Sequence, residues 1–171
     1  LNRSLTINTE IENKEGVADC LNLMGLIHEN KGAYKEALDY YNDQLLQAKK
    51  EIRIFGSLEK AAAEMPGLVE QRFNQLQELE AILEYLNIEL RRLRSTFFKK
   101  YLENYQRSLS SRDCEKYVDG EADVVDMEKI INEFALMRNK WLGITKGLDQ
   151  KQWQITNIVK LRVAGMEDAT I

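Results

Sequence analysis

From Leu68 to about Leu109 the chain runs without glycine or proline, and along that run Leu76, Leu79, Leu83, Leu86, Leu90, Leu93 and Phe97 recur in alternating steps of three and four. Alternating steps of three and four keep side chains on one stripe of an α-helix, and sustained over several turns they form the seam of a coiled coil. At 1.5 Å per residue, such a helix spans roughly 60 Å. A stripe that long cannot be covered within one small globule. It needs later helices of the same chain to fold back on it, identical helices from other subunits, or both. Leu76, Leu79, Leu83, Leu86, Leu90 and Leu93 are therefore candidates for the seam of a homo-oligomer.

Helix formers dominate the rest of the chain too, and Pro66 is its only proline. A sheet protein would need more turn residues and more β-branched alternation. The expected fold is all-α: a repeat-like N-terminal helical hairpin, then the long coiled-coil-type helix, then two C-terminal helices. Met65-Pro66-Gly67 is the clearest break, because proline suits a first helical turn and ends a preceding helix. This divides the chain into residues 1–55, a linker over 56–66, and residues 67–171. Ser110-Ser111-Arg112-Asp113 ends the long helix, and Asp119 to Asp123 forms an acidic turn. One C-terminal helix is predicted from an Asp126 N-cap to about Lys146, closed by Gly147. A second runs from an Asp149 cap through Ala164.

The start reads as helix, turn, helix, turn, helix, with turns at Asn13 to Gly16 and at Asn30-Lys31-Gly32. Leu21, Gly25, Ala37 and Tyr41 stand where the tetratricopeptide repeat wants a large residue, a glycine, an alanine and an aromatic, and residues 1–55 resemble that family. The resemblance covers about one and a half repeat units. His28, Gln44 and Lys49 depart from its pattern. It implies a docking surface near Asn22, Tyr34 and Tyr41, and with it a protein–protein adaptor.

Other function classes find little support. Cys20, Cys114 and His28 are too few and too scattered for a structural zinc site, which needs about four ligands. Two reduced thiols are expected, and no metal or cofactor. No nucleophile motif, glycine-rich phosphate loop, HExxH or CxxC occurs. Glu78, Glu80, Glu84 and Glu89 flank the seam as solubilising charges. No catalytic residue is assigned, and the chain is not expected to be an enzyme. No apolar run reaches the ~20 residues that span a bilayer, and no signal-peptide pattern opens the chain. A cytoplasmic setting is expected. Because the chain begins at Leu1 rather than Met, a preceding segment remains open.

A net charge of −4 argues against bulk attraction to polyanions. Locally the balance reverses. Arg91, Arg92, Arg94, Lys99 and Lys100 lie close together, with Phe97, Phe98, Tyr101 and Tyr105 interleaved and Arg107, Arg112 and Lys116 following. Phosphates are met by Lys or Arg, and unpaired bases stack on aromatic faces. The competing reading keeps the aromatics in the seam and the arginines on a solvated face or paired with Glu89 and Glu103. A second basic cluster, Lys146, Lys151, Gln152, Trp153, Lys160 and Arg162, lies near the C-terminus. There Trp153 could stack on a base or fill the core, and the core is expected, since aromatics at helical spacing usually pack.

From about residue 70 to 171 the chain is similar to the UvsY recombination mediators of T4-like phages. The likeness is carried by Arg94 to Tyr105 followed by Ser110-Ser111-Arg112-Asp113, and by Gly147 to Ile158 continuing to Arg162-Val163-Ala164-Gly165. It implies a mediator that binds single-stranded DNA, assembles through its helices, and helps load a recombinase onto DNA covered by single-strand-binding protein. The host cytoplasm would be its compartment. By character, Arg91, Arg92, Arg94, Lys99, Lys100, Arg107 and Arg112 would contact nucleic acid through phosphates, and Tyr101 and Tyr105 would stack.

Overall fold

The computed structural model describes residues 31–104 and 110–166. Four α-helices are found there: α1 (Lys31–Glu51), α2 (Leu58–Asn104), α3 (Ser111–Asp119) and α4 (Ala122–Val163). The described residues are all-α. None of their helices is long and apolar enough to cross a membrane.

Three helices share one core, and their ion pairs and ring contacts fix the directions. Glu51 of α1 meets Arg72 of α2, and Tyr41 meets Glu78, so α1 and α2 run antiparallel. Arg94 of α2 meets Glu128 of α4, and Met65 and Ile155 line one groove, so α2 and α4 are antiparallel as well. Tyr41 and Trp141 pack edge to face with ring centroids 6.4 Å apart, which places α1 parallel to α4. The leucine stripe is thus covered from within the chain. Leu76, Leu79, Ile82 and Leu86 are buried against Ala37, Tyr41, Leu45 and Ala48 of α1 and Phe134, Met137, Trp141, Ile144 and Leu148 of α4. Each of the leucine, isoleucine, methionine and phenylalanine side chains taken out of water stabilises the bundle by about 1.5–3 kcal/mol. Leu83 packs against this cluster, and Leu90 and Leu93 are half-buried.

A polar layer interrupts this core where α1 ends. Arg72 is fully buried. Its Nε and Nη2 donate to the two Glu51 carboxylate oxygens at 2.8 and 2.5 Å. Nη1 donates to the side-chain oxygens of Gln75 and Gln44 at 2.8 and 3.3 Å. The guanidinium also lies 5.8 Å from the centre of the Trp141 ring. From α4, the nearly buried Lys151 donates to the Glu51 backbone carbonyl at 2.7 Å. All three helices therefore meet at one satisfied cation–carboxylate site, and sliding any of them by one turn would strand a buried charge.

The structure departs from the sequence expectations at three joints. The stretch expected as a linker is helical from Leu58 onward, and Pro66 lies inside α2. Ser57 opens the helix, accepting from the Lys60 N–H at 3.2 Å. A proline in a helix interior destabilises by about 3 kcal/mol. Here Ala61 and Met65 on one side and Val69 on the other keep a continuous buried face against α4, and that packing wins. The core therefore runs across the expected boundary and takes in Tyr34 to Ala48 together with the long helix.

The two expected C-terminal helices are one, since α4 passes through Gly147 without a break. That glycine serves close approach instead of termination: a Cβ there would lie 2.8 Å from Cδ1 of Ile52. The same helix begins at Ala122, after Glu121, four residues before the expected Asp126 cap. Finally, Ser110 to Asp113 opens a helix that the sequence reading did not foresee. Ser110 caps α3, its hydroxyl oxygen accepting from the Asp113 N–H, and Gly120 closes it. Of the expected repeat-like hairpin, the second helix is α1, and the first falls outside the described residues.

Candidate nucleic-acid interface

The C-terminal turns of α2 carry the basic strip. No carboxylate occurs between Glu89 and Glu103, an interval that holds Arg91, Arg92, Arg94, Lys99 and Lys100. The seam side of these turns faces inward with Leu90, Leu93 and Phe97 half-buried, so Arg91, Arg92, Ser95, Thr96, Lys99, Lys100 and Leu102 are left to solvent. Helical periodicity thus turns a mixed basic-aromatic sequence into a one-sided cationic face.

Its cations are not equivalent. Arg94 forms ion pairs with Asp119 of α3 and, at 3.3 Å, with Glu128 of α4, so it fastens three helices together. Arg92 is held by Glu89 at 2.6 Å, although its side chain remains largely exposed. Arg91 donates from Nε to the Asn87 carbonyl at 3.3 Å. Lys100 lies 5.5 Å from the centre of the Phe97 ring. Arg91, Lys99 and Lys100 make no ion pair with the other described residues, and Arg112 and Lys116 of α3 are exposed nearby in sequence. The expected set of phosphate contacts therefore divides: Arg94 is a strut, Arg92 is partly neutralised, and Arg91, Lys99 and Lys100 keep their charge for a ligand.

The aromatics divide likewise. Tyr101 is half-buried, its hydroxyl donating to Glu121, and its ring is stacked on Tyr117 of α3 with centroids 5.7 Å apart. The outer member of this stack is Tyr117, which is about half exposed. Beside the stack, Arg94, Ser95, Phe98, Glu115, Val118 and Asp119 line a depression of about 310 Å³, so the basic strip has an acidic border on the α3 side. Tyr105 and Arg107 lie outside the described residues.

Two sequence expectations about surface and core are reversed. Tyr34 and Tyr41, placed on the docking face of a repeat, are buried in the three-helix core, because α2 and α4 occupy that side of α1. The adaptor reading loses both residues. Trp153, expected in the core, is 66 % exposed, while Lys151 is buried in its stead. Continued in steps of three and four, the buried register Phe134, Met137, Trp141, Ile144, Leu148, Lys151 and Ile155 leaves Trp153 outside, a signal that was present in the sequence. The same register rule carried back from Leu76 reaches Arg72, which no motif flagged. Comparison with known proteins brings no relative to this geometry: no family model, no curated protein and no solved structure matches the chain.

Proposed function

We propose that the chain is a non-catalytic single-stranded-DNA-binding recombination mediator that helps load a recombinase and works as a homo-oligomer. The observation that carries this reading is the carboxylate-free outer face of α2, where Arg91, Lys99 and Lys100 stand unpaired among the described residues, with the half-exposed Tyr117 on the neighbouring α3. Cations that track a backbone beside an aromatic platform are the combination that single strands require. The segregation of charge in a chain that is acidic overall agrees with it.

Anisotropy of a labelled single-stranded oligonucleotide tests the proposal. Binding is expected at low salt and is expected to weaken steeply as salt rises. Replacing Arg91, Lys99 and Lys100 by alanine should abolish it while leaving helical content unchanged. Undetectable binding of the intact protein at low salt would end the proposal.

Because the leucine seam is used within the chain, subunit contacts in this reading fall elsewhere. The end of the bundle formed by the start of α2 and the end of α4 supports them: Val159, Leu161, Val163 and Met166 are exposed there, near a groove lined by Ala62, Met65, Pro66, Val69 and Ile155 with Gln152 and Thr156. A second copy of the chain is the proposed occupant. Light scattering should give a mass above that of one chain, reduced by Leu161→Asp with Val163→Asp. A clean monomer would remove the oligomer from the proposal.

A further inference from the structure

We infer that Trp153 forms a second stacking platform for single-stranded nucleic acid, apart from the basic strip of α2. The inference rests on the single-strand-binding reading and extends it to the other half of the molecule. The protein has two tryptophans, and the fold treats them oppositely: Trp141 is fully buried between Tyr41 and Arg72, whereas Trp153 is 66 % exposed on α4. Lys146 and Lys160, both exposed, stand seven residues before and after Trp153. Seven residues are close to two helical turns, so both lysines share its face about 10 Å away along the axis. On α4 itself Asp149 is the carboxylate nearest Trp153, and from Gln150 to Met166 the chain has none.

The other outward groups between the two lysines are Gln150, Gln152, Gln154, Thr156, Asn157 and, next to Lys160, Val159. Asp149, Gln152, Trp153, Thr156 and Lys160 line a shallow depression of about 450 Å³. A flat indole face with a cation on either side fits a base with its flanking phosphates, and the amides offer hydrogen bonds to any base edge. The charge pattern along α4 favours a polyanion over an apolar protein surface, since lysines bracket the ring and Asp149 is the one carboxylate between them.

The two tryptophans also make the test selective. The intact protein is titrated with an end-labelled single-stranded oligonucleotide, and label anisotropy and tryptophan emission are followed together. Stacking is expected to quench Trp153 in step with the anisotropy rise, while Trp141 in the core supplies an unquenched remainder. Trp153→Ala is expected to lose the quench and to bind roughly 5- to 100-fold more weakly, the range that one base–aromatic stack gives. Trp153→Phe retains a ring and should retain most of the affinity. A rise in anisotropy with steady emission, together with full affinity in Trp153→Ala, would overturn this inference, leave the α2 strip as the binding site, and assign the tryptophan face to a protein partner. Absence of any anisotropy change at low salt would overturn both this inference and the reading beneath it.

Discussion

At Arg72 and Glu51 a charged pair replaces two hydrophobic contacts in a core that otherwise follows the coiled-coil pattern. Such pairs add little net stability compared with apolar residues of similar volume, but breaking one strands the other. Glu51→Ala is therefore expected to destabilise the protein by up to about 3–5 kcal/mol, and Glu51→Ala combined with Arg72→Met by much less, as measured by urea unfolding. Additive losses in the double variant would mean that the pair is not coupled. A few turns along the same core, burial raises the Tyr34 hydroxyl above its ordinary value of 10.0, and the neighbouring Tyr85 and Glu89 push it further the same way. The neutral phenol is thus the form that the fold prefers. Its contribution is complete below the unfolded-state value, near pH 10, and is lost as pH rises through the higher folded-state value. Tyr34→Phe cannot ionise, so it is expected to match the parent protein at pH 7 and to lose less stability between about pH 10 and 11. Parallel pH profiles for the two proteins would contradict the assignment.

Two glycines on one helix separate intrinsic propensity from packing. Gly143 of α4 has open space where a Cβ would go, whereas a Cβ at Gly147 would crowd Ile52. Gly143→Ala should raise stability by about 1 kcal/mol, the usual helix-interior difference. Gly147→Ala should forfeit that gain, because Ile52 must give way, and trimming Ile52 to valine should narrow the gap between the two variants. Pro66 gives the converse case on α2. Pro66→Ala restores a backbone donor to an exposed position within the helix and is expected to stabilise by as much as about 3 kcal/mol in thermal unfolding. No gain would mean that the turn around Pro66 is not regular helix. These positions also show what the sequence could convey about elements. The seam from Leu76 to Leu86 was legible because its period is a property of the chain itself, and Ala37 was legible as a packing residue because a small side chain lets two helices approach closely, whereas Tyr41 was assigned to a docking face that α2 and α4 in fact cover. Pro66 and Gly147 were misread as boundaries because local punctuation was weighed without the buried faces that run past both. Arg72 and Lys151 were invisible to a pattern of apolar residues, although each sits in register, and Trp153 was misplaced because its apolar character was weighed ahead of its position off the register.

Taken as a whole, the molecule sets a net charge of −4 against a cationic strip at one end of its long hairpin, so attraction to nucleic acid has to be local. That limits its size. The sequence showed where positive charge concentrates, but not that Arg94 would be spent on Asp119 and Glu128 or that Arg92 would pair with Glu89, since those partners depend on how α2, α3 and α4 fold together. Counting every arginine and lysine from Arg91 to Arg112 as a phosphate contact therefore overstates the interface. For single strands, each neutralised phosphate contributes about −0.7 to the slope of log affinity against log salt. With Arg91, Lys99 and Lys100 as the principal contacts, the α2 strip should contribute a slope of roughly −2 per protomer, and each single alanine substitution should bring it about 0.7 closer to zero. Arg94→Ala should act differently. It removes a strut instead of a contact, so it should lower thermal stability while leaving the salt slope nearly unchanged. If Arg94→Ala instead reduced the slope as much as Lys99→Ala did, with no loss of stability, the division of this strip into structural and ligand-facing cations would be wrong, and the helix junction at α3 would have to open when DNA binds.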